Sequence, residues 1–118
     1  MEHLNLRDVK ALEQYVLRSH VLEHKLRDFR HYATKTLRSH SSDPLRTPRE
    51  LMVLYSLLLD AESSWHLRRA SRFMEKYGLT EKYPWLKQLA EEVKKLAEEL
   101  EEVEDAELEL MVKGVIHI

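Results

Sequence analysis

Two of the seven histidines in this 118-residue chain frame the run His20-Val21-Leu22-Glu23-His24. On a helix, residues four apart stack one turn above the other. His20 and His24 therefore form an imidazole pair able to chelate a transition metal, and Glu23 is placed to take a proton from metal-bound water. His31 follows on the same face, and Glu62 and His66 could meet these residues from a second helix, as Glu and His ligands do in dimetal bundles. Bundle ligands project inward, however, and the His20 face lies nearly opposite the apolar stripe of its own helix. The expectation is that these histidines are solvated or lie at an interface, with no cofactor.

The pattern of His20, Glu23 and His24 resembles the metal-binding motif of the inverted zinc metallopeptidases. Nothing else in the chain is similar to those larger enzymes, so their activity is not carried over. A second resemblance is spread more thinly. Arg7, Lys35, Asp43 and the pair Arg49-Glu50 loosely resemble the charged residues of helical chorismate mutases, small all-α dimers with a long first helix. It covers less than half the chain, the middle arginine falls near His24, and Gln88 alone stands for the closing polar residues. That activity is not carried over either.

The same histidine face carries a stripe of positive charge. His20, His24, Arg27, His31, Lys35 and Arg38 recur at helical spacing with no acidic residue among them. Such a stripe could grip phosphates along a nucleic-acid groove. Tyr32 beside it could stack on a base, and Arg68, Arg69 and Arg72 could extend it. The bland alternatives are a solvated face, or a dock for the acidic C-terminal third.

Other chemistries are poorly supplied. With no cysteine, there is no disulfide framework, thiolate metal site or cysteine nucleophile. No glycine-rich loop offers a phosphate cradle, and Ser41-Ser42 and Ser63-Ser64 lack the strand–turn–helix setting of a serine nucleophile. An enzyme is not the favoured reading. The longest apolar run, Leu51 to Leu59, is too short to span a bilayer. The opening residues Met1 to Asn5 lack the basic and apolar regions of a targeting segment. A cytoplasmic protein without membrane contact is expected. High charge with little Gly and no Cys also suits a thermophilic source.

These residues must be positioned by helices. Only 2 Gly and 3 Pro occur against 34% charged residues, a composition that favours long helices over sheets. An all-α fold is expected: one domain over 1–118, with three long helices in a bundle at about 6–38, 48–77 and 81–106. The first begins at the cap Asn5 and turns Tyr15, Leu22, Leu26, Phe29, Ala33 and Leu37 inward. Residues 39–46 form a loop. The second opens on a capping box, Thr47-Pro48-Arg49-Glu50. Its run from Leu51 to Leu59 is apolar all round, which predicts burial on every side. Ala61, Trp65, Ala70, Phe73 and Met74 follow inward until Gly78 stops the helix. The third carries the heptad series Leu86, Leu89, Val93, Leu96, Leu100 and Val103. From Glu107 to Ile118 the alternation of Glu and Leu, then β-branched residues, suggests a short C-terminal β-strand. It could pair with His3-Leu4-Asn5-Leu6, with itself past Gly114, or with another subunit. The alternative is a helix continuing to Lys113.

Charge is uneven. Residues 1–74 hold 13 Lys/Arg and 9 Asp/Glu, a net +4; residues 75–118 hold 6 and 12, a net −6. The commoner meaning of such asymmetry is two halves that attract each other. Three helices, one apolar all round and one with a heptad seam, leave surplus apolar surface in a monomer. The expectation is a non-enzymatic helical interaction or scaffold module that forms a homo-oligomer. Its tentative interface is Leu86, Leu89, Val93, Leu96, Leu100 and Val103. A nucleic-acid-associated subunit using the His20–Arg38 stripe is the first alternative, and a metal-dependent enzyme at His20, Glu23 and His24 the second.

Overall fold

A computed structural model describes residues 5–41, 43 and 45–117. Ser42 and Pro44 of the expected loop, His3 and Leu4 of the suggested strand partner, and Ile118 lie outside the described residues. All regular structure among the described residues is helical. The helices are α1 (Leu6–His40), α2 (Arg49–Leu59), α3 (Ser64–Lys76), the single turn α4 (Leu79–Lys82) and α5 (Lys87–Val112), with a 3-10 turn at Pro84–Leu86 leading into α5. No helix among the described residues is long and apolar enough to cross a membrane.

The first helix follows its sequence closely. Asn5 Oδ1 accepts a hydrogen bond from the Asp8 N–H at 2.8 Å, satisfying one of the free donors of the first turn. Leu22, Leu26, Phe29, Ala33 and Leu37 are buried, and Tyr15 packs against the core half-buried. At the far end His40 stacks on Trp85, with ring centroids 4.0 Å apart and planes 4° apart.

The expected second helix is two helices. The chain breaks at residues 60–63, so α2 and α3 form a hairpin rather than one rod. Asp60 leaves the helical conformation, Ser63 is extended, and Ala61 is fully buried in the corner. Two long-range anchors hold the corner. Arg30 Nη1 donates to the Ala61 carbonyl at 3.0 Å. Glu104, from α5, accepts from the Ser64 N–H at 3.1 Å and from the Ser64 hydroxyl. That carboxylate caps α3 from across the bundle, where a negative charge meets the positive end of the helix dipole. The sequence signal for the break was Asp60 with Ser63-Ser64, residues that compete for backbone hydrogen bonds. Apolar spacing running on through Ala61 concealed it.

Breaking the rod changes what is buried. Leu51, Leu54 and Leu58 of α2 are buried, but Met52, Val53 and Leu59 are exposed. Burial on every side is therefore corrected: α2 sits at a bundle corner with two helical neighbours, α1 and α3. Ala61, Ala70 and Met74 point inward as expected, Phe73 is half-buried, and Trp65 is 57% exposed. The capping box is also not formed. Thr47 Oγ1 donates to the Asp43 carbonyl at 2.7 Å, closing the loop instead. Glu50 accepts from Lys82 Nζ and from the Tyr83 hydroxyl, each at 3.0 Å.

The helices pack in a ring, α1 against α2, α2 against α3, α3 against α5 and α5 against α1. Successive long elements run antiparallel, giving an up-down-up-down bundle. The heptad residues Leu86, Leu89, Val93, Leu96, Leu100 and Val103 are all buried within this one chain. They form its internal seam, which corrects their assignment as a surface for another copy. The charge asymmetry is spent in the same place: Arg18–Glu102, Lys25–Glu99 and Arg68–Glu101 tie the basic half to the acidic α5 at 2.8, 3.0 and 2.7 Å.

The C-terminal segment is helix to Val112, not strand. The seam continues past Glu107 to Leu110, which is buried, so the 3.5-residue repeat prevails over the local alternation. Gly114, at φ 74°, ends the helix, and the Val115 N–H returns to the Leu110 carbonyl at 2.9 Å, as in a Schellman-type stop.

Two ion-pair sites predict a pH response. The Glu50 carboxyl is held below its ordinary 4.5 by its own backbone N–H, then by Lys82 and Tyr83. Hydrogen bonds from Arg68 hold Glu101 below the same value. Acids that are stronger in the folded state stabilise it above their unfolded value, and that stabilisation disappears as pH falls through the lowered value. The urea midpoint should fall as pH drops below about 5, and Glu101→Gln should flatten that fall. Urea titrations at a series of pH values read both.

Candidate docking surface

The bundle is complete only along part of its length. The molecule extends 63 Å by 23 Å by 21 Å, whereas α2 and α3 have 11 and 13 residues, or about 16 and 20 Å. Their corner stands over Glu23, Arg27 and Arg30 of α1, which line a recess with Glu62, and over Glu104 of α5. Beyond it, residues 6–21 of α1 and 105–112 of α5 project as a two-helix arm, with residues 113–117 folded at its tip. The α1 part of the arm is about 24 Å long.

The arm's inner face continues the stripes that bind the corner. Residues seven apart on a helix lie on nearly the same side. Stepping back by sevens from Arg30, which holds the corner, gives Glu23, then Val16, then Val9. Stepping forward from Glu101 and Glu104, which hold α3, gives Leu108 and Met111. On both helices the stripe is polar where it meets α2 and α3 and apolar where they have ended. Val16 is 54% exposed, Leu108 57% and Val112 88%, while Val9, Leu12 and Met111 are partly covered. The absent layer leaves an apolar face two helices wide.

A second apolar strip, Leu6, Leu17 and Val21, lies further round the same stretch of α1 and is also exposed. It belongs to one helix and is interrupted by Lys10 and Gln14. The inner face is continuous with the core and draws on both helices.

The histidine and arginine residues are distributed otherwise. His20, His24, Arg27, His31, Lys35 and Arg38 are all exposed on α1, and the first three also border the recess beside Glu62. Tyr32 is half-buried against the core, facing α5 beside Gln88 and Glu92. Arg68, Arg69 and Arg72 sit on α3, which packs on α5 rather than α1. Arg68 is held by Glu101 at 2.7 and 3.0 Å, and Arg69 lies over the Trp65 ring. The structure brings together the α1 stripe but neither its aromatic nor its α3 extension.

Of the metal-type residues, His20, Glu23, His24 and Glu62 border one recess. His20 Nε2 and His24 Nε2 are 3.3 Å apart, and Arg27 contacts the other ring nitrogen of His24. Among the described residues no group of three His, Asp or Glu side chains is placed to hold a metal ion. His66 is engaged locally, 2.9 Å from the Ser63 hydroxyl. Arg7 and Lys35 are 28 residues apart on one helix, about 42 Å, and share no site within one chain.

Comparison with known protein families, curated proteins and solved structures finds no match to this chain.

Sequence reasoning missed the arm's inner face. Its signal was present: Val9, Val16, Leu108 and Met111 fall at heptad distance from Arg30, Glu101 and Glu104. Reading that signal required knowing where α2 and α3 stop.

Proposed function

We propose that this protein is a non-enzymatic helical scaffold module that works by self-association through the inner face of its arm. The observation that carries this reading is the change from polar to apolar on both stripes where the α2–α3 hairpin ends. Isolated exposed apolar residues are ordinary. A contiguous apolar face, rimmed by charge and built from two helices, is the kind of surface that marks an interaction site. Closed twofold assemblies are the commonest outcome when one such face is self-complementary.

The supporting chemistry is what the face lacks. Its central positions carry no titratable side chain, so it offers grease to another helix layer rather than a pocket to a substrate. Sedimentation velocity at micromolar concentration should give twice the mass of the chain, and dilution should reverse it. A single monomeric species at 100 μM, about the weakest affinity worth assigning to a specific interface, would sink the proposal.

A further inference from the structure

We infer that His20 and His24 of α1, with Glu62 of the α2–α3 corner, form a binding site for a borderline divalent transition ion such as Zn²⁺, which fastens the corner to α1. The site uses other residues than the arm's apolar face, so it stands whether or not the chain self-associates.

The spacing of the two imidazoles carries the inference. His20 Nε2 and His24 Nε2 face each other at 3.3 Å, with the rings edge to face and their centroids 4.7 Å apart. A tetrahedral zinc ion holds its nitrogen ligands at about 2.0–2.1 Å, which separates any two of them by about 3.3 Å. The two nitrogens already stand at chelating distance, one turn apart on an unbroken helix. Both side chains are exposed, so an ion reaches them without opening the core.

The recess supplies the remaining donor. Glu62 borders it from the corner and Glu23 from α1, and both are exposed. Among the described residues neither carboxylate is in an ion pair. As the side chains stand only the imidazoles meet. Glu62 turns into the recess to become the third ligand, and water takes the fourth position. Imidazole donors favour Zn²⁺, Ni²⁺ or Cu²⁺ over Mg²⁺ and Ca²⁺, which require oxygen.

Arg27 opposes the ion. A guanidinium only donates hydrogen bonds. Its contact with His24 Nδ1 therefore leaves the His24 proton on Nε2, shared with His20 Nε2. A metal needs that Nε2 bare. When the ion binds, the proton moves to Nδ1 and Arg27 withdraws. An acceptor in place of Arg27 reverses the effect, because a group that receives the Nδ1–H orients and strengthens a ligating histidine. The bound ion adds a second tie beside the hydrogen bond from Arg30 to the Ala61 carbonyl. An ion that binds the folded chain and not the unfolded one raises Tm by mass action.

Calorimetric titration of zinc chloride into the metal-free protein should find one ion per chain, and saturating zinc should raise Tm. His20→Ala and His24→Ala should each abolish both effects while circular dichroism keeps its helical signal. Glu62→Gln should weaken binding at least about tenfold, and Arg27→Gln should tighten it. Magnesium chloride should do neither. No zinc binding by the wild-type chain at about 1 mM, unchanged binding after loss of either imidazole, or magnesium matching zinc overturns the site. Unchanged binding by Glu62→Gln overturns the tie to the corner. Binding by Arg27→Gln no tighter than wild type overturns the proton shift.

Discussion

Glutamate at both Val16 and Leu108 should leave a folded monomer and weaken self-association by at least about a hundredfold, because each change puts an unpaired charge at the centre of a desolvated face. Both positions are more than half exposed in the single chain. Each substitution should therefore change the monomer's stability by no more than about 0.5 kcal/mol, and circular dichroism should keep its helical signal. Leu17→Glu is the matched control. Leu17 is 66% exposed, on the same stretch of α1, but is turned about 100° away from Val16. It should leave the sedimentation coefficient unchanged. Loss of the dimer with Leu17→Glu and its retention with Val16→Glu and Leu108→Glu would move the interface to the Leu17 strip of the arm. This contrast separates a face from mere hydrophobicity, since the three side chains are similar in size and exposure.

Leu54→Ala should cost about 3 kcal/mol, within the range for truncating a leucine that leaves a cavity. Leu54 is fully buried at the middle of α2, against both neighbouring helices. For a domain of this size the loss corresponds to a fall in Tm of roughly 10 °C. Met52→Ala, two residues away in the same apolar run, should change stability by only about 0.5 kcal/mol, because Met52 is half exposed. If both substitutions cost several kcal/mol, α2 is covered on its outer side after all, and a partner must sit there rather than on the arm. Thermal melts over a range of protein concentration would show which, since a partner makes Tm depend on concentration.

Much of the bundle was legible from residue order. The inward face of α1 from Leu22 to Leu37, its Asn5 cap, the stop at Gly78 and the seam from Leu86 to Val103 all follow from local rules. Each depends on helical period or on a capping group within a turn. The errors share a different cause. The single rod at 48–77 failed because Arg30 and Glu104, 30 residues or more away from the corner they fix, reward a break that local apolar spacing conceals. The capping box failed because Thr47 and Glu50 found partners in the loop and in α4. The strand failed because Leu110 gains more from extending a buried seam than Glu-Leu alternation gains from an unpaired edge.

The candidate site divides along the same line. The exposed basic stripe on α1 was readable from spacing, since every member sits on one helix. The inner face of the arm was not, although its residues are equally periodic. A sequence alone established that this chain is helical, that it carries more apolar residue than three simple rods can hide, and that its charges are split between its halves. Tertiary structure decided where that surplus lies: α2 and α3 fold back as a hairpin shorter than α1 and α5. Helix length and packing register, set by contacts between residues distant in the chain, determine which apolar stripes are covered and which remain exposed.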